Sequence, residues 1–421
     1  MAAAARKQGR GHERGEAPAG RRRRRKTALA AAAGAIAVGT AAVVVPHAFA
    51  DDDPLGLGET VERLAVDEAA LGLLEIGEVV EAAESLTYAD AAETAALELS
   101  EPGAAYVKPH FDRLLLTEGD YVTVSSPDGA ESYRYDDSMV GQWATSITGD
   151  TAIVELHKSD PRADSGALGL VVDKIAYGFS EDVVAGLVDE QAEQARPAES
   201  LCAGDDKRPS TCYASSYPEI AENADPVARL LIDGTVLCTA FRVGEHNRML
   251  TNNHCFSDSW EAGRTEVWFG YACTTCGGAE TTDPVKVNGE RVLATSQELD
   301  YTLFSVDDFA AVEPFGSLEL STDRVRRGEA IYIPQHPAGR PSEIAVESSV
   351  DGGNCVVNDP VYDGYVANSD IAYYCDTEFG SSGSPVLSRD THEVIALHHF
   401  GGCPNSGVNA SLIEREIRGL I

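Results

Sequence analysis

Cysteine is missing from the first 201 residues: all nine cysteines lie at or after Cys202. A cytosolic protein has no reason to segregate cysteine in this way, whereas an exported domain stapled by disulfides does. The break therefore predicts a second folded unit that starts near residue 200. Cations are also scarce beyond the first 50 residues. Residues 1–50 carry ten Lys and Arg against two Asp and Glu, residues 51–200 carry eight against 33, and residues 201–421 carry 15 against 33. A body this acidic repels phosphate backbones and anionic lipid, which argues against nucleic acid and membrane surfaces as partners. Its acidity serves solubility instead. The chain has no internal repeat, no low-complexity array and no cofactor motif. The expectation is a protein that needs neither a cofactor nor a metal.

What is present begins with a leader. Arg21–Arg25 and Lys26 precede an Ala/Gly/Val run from Thr27 to Val45, and Pro46-His47-Ala48-Phe49-Ala50 then meets an abrupt Asp51-Asp52-Asp53. A charged start, an apolar run and an A-x-A site make residues 1–50 a signal peptide cleaved after Ala50. Nineteen residues would just span a bilayer as an uncleaved anchor, but so much Ala and Gly leaves the run weakly apolar. The reading is a secreted, extracellular protein with no membrane attachment once the leader is gone.

Residues 51–200 form an acidic segment of their own. The Ala/Glu/Leu-rich stretch from Leu55 to about Leu99 places Leu64, Ala65, Leu71, Leu74 and Ile76 at helical spacing and predicts an amphipathic helix closed by Pro102-Gly103. Short alternating runs follow at Tyr121–Val124, Ser132–Tyr135 and Thr151–Leu156, with turns at Pro127-Asp128-Gly129 and Gly149-Asp150, and these predict a small antiparallel β module. Residues 181–200 return to helix-forming sequence and end in Ala195-Arg196-Pro197-Ala198, an exposed linker. The segment as a whole is expected to be a small α+β unit. Residues 201–421 hold many short strands between Gly, Asn, Asp and Pro, the pattern of an all-β barrel or sandwich.

Three short segments carry chemistry. Met249-Leu250-Thr251-Asn252-Asn253-His254-Cys255 follows Cys238-Thr239-Ala240-Phe241, Leu299-Asp300-Tyr301-Thr302-Leu303-Phe304 comes next, and Gly380-Ser381-Ser382-Gly383-Ser384-Pro385 comes last. Acyl transfer needs a hydroxyl made nucleophilic by a base, a carboxylate to hold that base in one tautomer, and donors for the oxyanion. Ser382, His254 and Asp300 meet the first three needs, and the backbone amides of Gly380 and Ser382 the fourth. Taken singly, each segment has a bland alternative: a Gly/Ser turn, a structural histidine, a capping aspartate.

Taken together, TNNHC, DYTLF and GSSGSP resemble the motifs of the chymotrypsin-like serine peptidases, and within them those of bacterial lysyl and glutamyl endopeptidases. The resemblance implies a double six-stranded antiparallel β-barrel over residues 201–421, with His254 and Asp300 from the first barrel and Ser382 from the second. It implies hydrolysis of protein or peptide substrates by a monomer, and it makes residues 51–200 a prosegment that inhibits or chaperones the enzyme and is cut off between about residues 190 and 202. Ser381 stands where the digestive members carry an aspartate that pairs with their new N-terminus. That ion-pair switch is therefore not available here. The signals for substrate preference conflict. Thr377 and His398 stand where glutamyl endopeptidases hold a substrate carboxylate, while Asp376 stands where trypsin-like enzymes bind Lys or Arg, or else is a hydrogen-bonded structural residue. The family also implies a Cys238–Cys255 disulfide beside the histidine, and lysyl endopeptidases imply Cys202–Cys403 and Cys212–Cys276, with Cys355–Cys375 as a further link and Cys273 left over. A zinc site on Cys273-x-x-Cys276 is the alternative for those two residues. The competing function is a catalytically silent pseudo-protease that acts as an extracellular binding module.

Overall fold

The computed structural model describes residues 73–88, 94–159, 169–194 and 201–421. The leader at 1–50 with its cleavage site, the first part of the expected helix, and the linker at 195–198 lie outside them. All described residues belong to one unit, Thr60–Ile421.

The stretch expected to be helix forms two strands where it is described, with residues 73–76 and Tyr88 outside them, and none of it is helical. β1 (Gly77–Thr87) and β2 (Thr94–Ser100) pair antiparallel with β9 (Gly169–Gly178) and β8 (Thr151–His157). In β2 the inward residues are Ala95, Leu97 and Leu99, alternating with exposed Thr94, Ala96 and Glu98, a period of two. Helix propensity contributes only tenths of a kcal/mol per residue. A ladder of partner strands over a buried face overrides it.

β3 (Tyr106–Leu115), β4 (Tyr121–Ser125), β5 (Ser132–Tyr135), β6 (Met139–Trp143) and β7 (Ile147–Thr148) complete two sheets. One runs β1-β9-β3-β6 with β7 on β3, and the other runs β2-β8-β4-β5. Their facing residues, among them Val107, Phe111, Val124, Val154 and Val172, form one core. The helix α1 (Glu181–Gln194) follows. The N-terminal half is therefore two packed sheets with one helix, richer in strand than the expected α+β unit.

After the edge strand β10 (Arg208–Pro209), the first half of the C-terminal region is a closed barrel. Its order is β11 (Val227–Ile232), β12 (Val236–Arg242), β13 (Met249–Thr251), β16 (Tyr301–Val306), β15 (Val285–Ser296) and β14 (Thr265–Phe269). The second half is an eight-stranded antiparallel sheet built on β17 (Ile331–Gln335), β18 (Glu343–Ala345), β21 (Val357–Tyr362), β22 (Asp370–Tyr373), β23 (Pro385–Ser388), β24 (Val394–Phe400) and β25 (Asn405–Asn409). A small hairpin of β19 (Glu347–Ser348) and β20 (Gly353–Asn354) stands beside it. The order of the large sheet, β10-β18-β17-β23-β24-β25-β22-β21, does not pair end to end among the described residues. The first barrel closes as expected, and the second is an open sheet. A shared core of Phe241, Leu250, Leu303, Tyr332, Leu387 and Leu397 joins the two, with the C-terminal helix Ala410–Ile417 packed on it.

Candidate active site

Antiparallel register brings His254 and Asp300 together. Met249 pairs with Phe304 and Thr251 with Thr302, so three residues beyond Thr251 and two before Thr302 emerge at the same end of the barrel. Asp300 sits at φ +44°, a left-handed conformation that aspartate tolerates better than most side chains. The Asn252 side chain donates to its carbonyl at 2.8 Å. The carboxylate then accepts from the backbone N–H of His254 at 2.9 Å and from its Nδ1 at 2.8 Å. With Nδ1 as donor, the other ring nitrogen is left as the base. His254 Nε2 is buried and has no hydrogen-bond partner among the described residues.

Ser382 lies on the turn that leads into β23. Thr239, in β12 of the barrel, donates its amide to the Ser382 carbonyl at 2.8 Å and its hydroxyl to the Gly380 carbonyl at 2.8 Å. The barrel wall therefore fixes the turn of Ser382 directly. Gly383 is at φ +90°, and a Cβ there would come within 2.0 Å of the Thr239 carbonyl oxygen, so no other residue fits. Ser382 is half-buried, and no hydrogen bond joins its hydroxyl to His254. Such bonds are commonly long without substrate.

The amides of Gly380 and Ser382 donate to no acceptor among the described residues. Their orientation has a visible cause. The carbonyl of Phe379 accepts from the Ala338 N–H at 2.6 Å. In a trans peptide the C=O and N–H point opposite ways, so holding that carbonyl turns the Gly380 N–H outward. Ser381 is fully buried and donates to Gln335 Oε1 at 2.6 Å, while Gln335 Nε2 donates to the Asp376 carbonyl at 2.9 Å. A neutral network thus supports the turn where the digestive enzymes use an ion pair.

The three residues read as a specificity pocket differ in their surroundings. The Asp376 carboxylate accepts from the backbone amides of Cys202 at 3.2 Å and Asp206 at 2.8 Å, and burial pushes its pKa up. Thr377 is buried and its hydroxyl has no partner among the described residues. His398 Nδ1 meets the Tyr373 hydroxyl at 2.8 Å. Burial first, then the neighbouring His399, brings its pKa down to about 3, so its imidazole is neutral.

Disulfides join Cys238 to Cys255, Cys202 to Cys403 and Cys212 to Cys276. Cys276 is therefore not available to the zinc alternative. The one His/Cys cluster among the described residues, Cys238, His254 and Cys255, has both sulfurs in a disulfide and offers no thiolate. Cys355 and Cys375 are not bonded to each other.

Two residues at this site escaped the sequence reading. His399 and Asp370 are buried behind Asp300, with His399 Nδ1 3.1 Å from Asp300 Oδ2 and His399 Nε2 2.7 Å from Asp370 Oδ2. The signal was a pair of adjacent histidines in an apolar strand, of which only His398 was singled out.

Comparison with known proteins points the same way. A family described as Trypsin-like peptidase domain matches residues 238–397. The chain is 30% identical over 334 residues, 75% of its own length and 79% of the relative's, to Secreted RxLR effector protein 73 of Plasmopara viticola. It is 29% identical over 172 residues to Uncharacterized protein y4fB of Sinorhizobium fredii, covering 39% of this chain and 25% of that one. Solved structures similar to it include a Glu endopeptidase (19% identity, 52% of this chain and 98% of that one, TM-score 0.37) and the Rv3671c protease in an inactive form (14% identity, 49% and 95%, TM-score 0.37). The trypsin-like match over most of the barrel and the turn that carries Ser382, with the relative that is 30% identical over 79% of its length, places the chain in the chymotrypsin-like serine peptidase family.

Proposed function

We propose that this protein is a secreted serine endopeptidase made as a precursor. Ser382 Oγ attacks the scissile carbonyl while His254 Nε2 takes its proton. The amides of Gly380 and Ser382 hold the oxyanion. His254 then gives the proton to the leaving amine, and water hydrolyses the acyl-enzyme by the same route in reverse. Asp300 fixes the tautomer of His254 and balances the imidazolium that forms. Burial alone would raise the Asp300 pKa, but His254 and then His399 outweigh it and hold the carboxyl well below the usual range, so the anion is present throughout.

The observation that carries this reading is the two-point seat of His254 on Asp300, which leaves Nε2 buried and unpartnered. The experiment is fluorophosphonate labelling followed by mass spectrometry. Labelling of wild type and none of Ser382→Ala supports the peptidase. No label on either, even after removal of residues 51–200, leaves the pseudo-protease binding module.

A preference for Glu or Asp before the scissile bond is the better supported of the two specificities. The carboxylate of Asp376 is already engaged by two backbone amides, whereas Thr377 keeps a buried hydroxyl without a partner among the described residues and His398 a neutral ring. Cuts after Glu and Asp in a peptide library support it, and cuts after Lys and Arg return the role to Asp376.

The precursor reading rests on how the N-terminal half meets the barrel. Ile76 N–H donates to the Thr235 carbonyl at 2.8 Å, Leu237 N–H donates to the Leu74 carbonyl at 3.2 Å, and Glu75 bridges Val236. This short added strand lies along β12 two residues before Thr239, which holds Ser382. On this reading residues 51–200 act as inhibitor or chaperone until a cut between about 190 and 202. A related protein carries the word secreted in its name, in keeping with the leader.

A further inference from the structure

His399 lies between two carboxylates that water does not reach. Its side chain and that of Asp300 are each 1% exposed, and that of Asp370 is 0% exposed. Each ring nitrogen faces a carboxylate oxygen, at 3.1 Å and 2.7 Å. A neutral imidazole carries one N–H, so one carboxylate would face a lone pair; only the imidazolium donates to both. Asp370 is further held by the hydroxyls of Ser369 at 2.7 Å and Ser406 at 2.8 Å. The oxygen of Asp300 that His399 touches, Oδ2, is also the one that His254 Nδ1 touches.

Resting on the peptidase reading, we propose that His399 and Asp370 are a positioning pair acting through Asp300: an imidazolium, charged at neutral pH, that orients the Asp300 carboxylate and keeps His254 from holding its proton too strongly. The groups facing His399 are few. Asp300 comes from the start of β16 with His254 beyond it, Asp370 comes from β22, and the neutral His398 is the next residue in the same strand. The Tyr365 ring lies edge-on with its centroid at 5.9 Å. Two anions against one fixed cation leave one net negative charge for His254 to meet during turnover, the same count as a lone aspartate. Without the cation, His254 would face an additional uncompensated anion. The raised pKa of His399, about 9, agrees: burial works against the charge, and Asp370 and Asp300 outweigh it.

The test is the pH profile of kcat/KM in His399→Gln and in the double variant His399→Gln/Asp370→Asn, normalised to active sites titrated by fluorophosphonate. Loss of the cation lets His254 keep its proton to higher pH. The acidic limb of the His399→Gln profile is expected to move up by about one pH unit, as a charge a few ångströms away implies, with KM unchanged. The double variant loses cation and anion together, so its limb is expected to return toward that of wild type. A merely structural role would lower the number of active sites and leave the limb where it is, and an unmoved limb in His399→Gln overturns the proposal. Should the single variant not fold, 15N-histidine NMR of Ser382→Ala decides. Both nitrogens of His399 protonated at pH 7.5 supports the proposal, and one bare nitrogen overturns it. The NMR result stands even where wild type shows no Ser382-dependent turnover, which would sink the peptidase reading separately.

Discussion

Lys108 of the N-terminal half and Glu266 of the barrel form an ion pair that excludes water from both partners, with side chains 1% and 0% exposed. Glu266 also takes the Ser146 amide at 2.5 Å and hydroxyl at 2.8 Å and the Trp268 indole at 2.7 Å. Burial alone would raise its pKa, but Lys108 and Lys286 bring it down to about 2. A cut near residue 195 would therefore not by itself release the N-terminal half, because separation takes from Glu266 the three hydrogen bonds that Lys108 and Ser146 donate. Nicked wild-type protein is expected to run as one species on size exclusion. Lys108→Met strips one charge from a buried set, at a cost of about 3–5 kcal/mol, and the nicked variant should separate into two species at a concentration where wild type does not.

The added strand beside β12 makes a second expectation. Ile76→Pro removes the N–H that bonds Thr235 and sets a proline where its ring opposes strand pairing. If this pairing restrains the turn that holds Ser382, the uncut variant should react with a fluorophosphonate about tenfold faster than the uncut wild type. Equal rates would mean that the N-terminal half restrains the enzyme elsewhere or not at all.

Much of this was legible in the sequence, and the rest was hidden for definite reasons. His254, Asp300 and Ser382 stood out because turn chemistry fixes their neighbours: Gly383 cannot carry a Cβ against Thr239, and such constraints leave a short readable pattern. An all-β barrel or sandwich was legible from the alternating strands, and the resemblance of the three motifs chose the barrel. β1 and β2 were not, because Ala, Glu and Leu favour helix locally and only their pairing with β9 and β8 decides otherwise. In Thr94–Ser100 the period-two pattern was present but shorter than the helical one around it. His399 and Asp370 are 29 residues apart in sequence, and no local rule predicts that two strands will bring them behind Asp300.

The charge on His399 has a consequence for stability as well as for turnover. Its folded pKa, about 9, lies above the ordinary histidine value of about 6.5. A group whose pKa is raised by folding contributes stability that is complete below the unfolded value and is lost as pH rises through the folded one. The Tm of Ser382→Ala, used to prevent self-digestion, is expected to exceed that of Ser382→Ala/His399→Gln most below about pH 6.5. The lead should shrink steadily toward pH 9 and level off above it. A lead that does not change between pH 6 and 10 would mean that His399 is neutral in the fold.

The cysteines outside the disulfides differ enough in burial to be told apart chemically. Cys273 is partly exposed, whereas Cys355 and Cys375 are buried at the core of the large sheet. Burial raises the thiol pKa of Cys355 and raises that of Cys375 well above the usual value, and the thiolate is the species that alkylates. Iodoacetamide on the folded protein is expected to modify Cys273 alone, with Cys355 and Cys375 reacting only in denaturant, for a total of three thiols without reductant. A total of one thiol in denaturant would mean that Cys355 and Cys375 are cross-linked in the native protein. The protein would then carry a fourth disulfide, between the approach to β21 and the strand end that leads to Asp376.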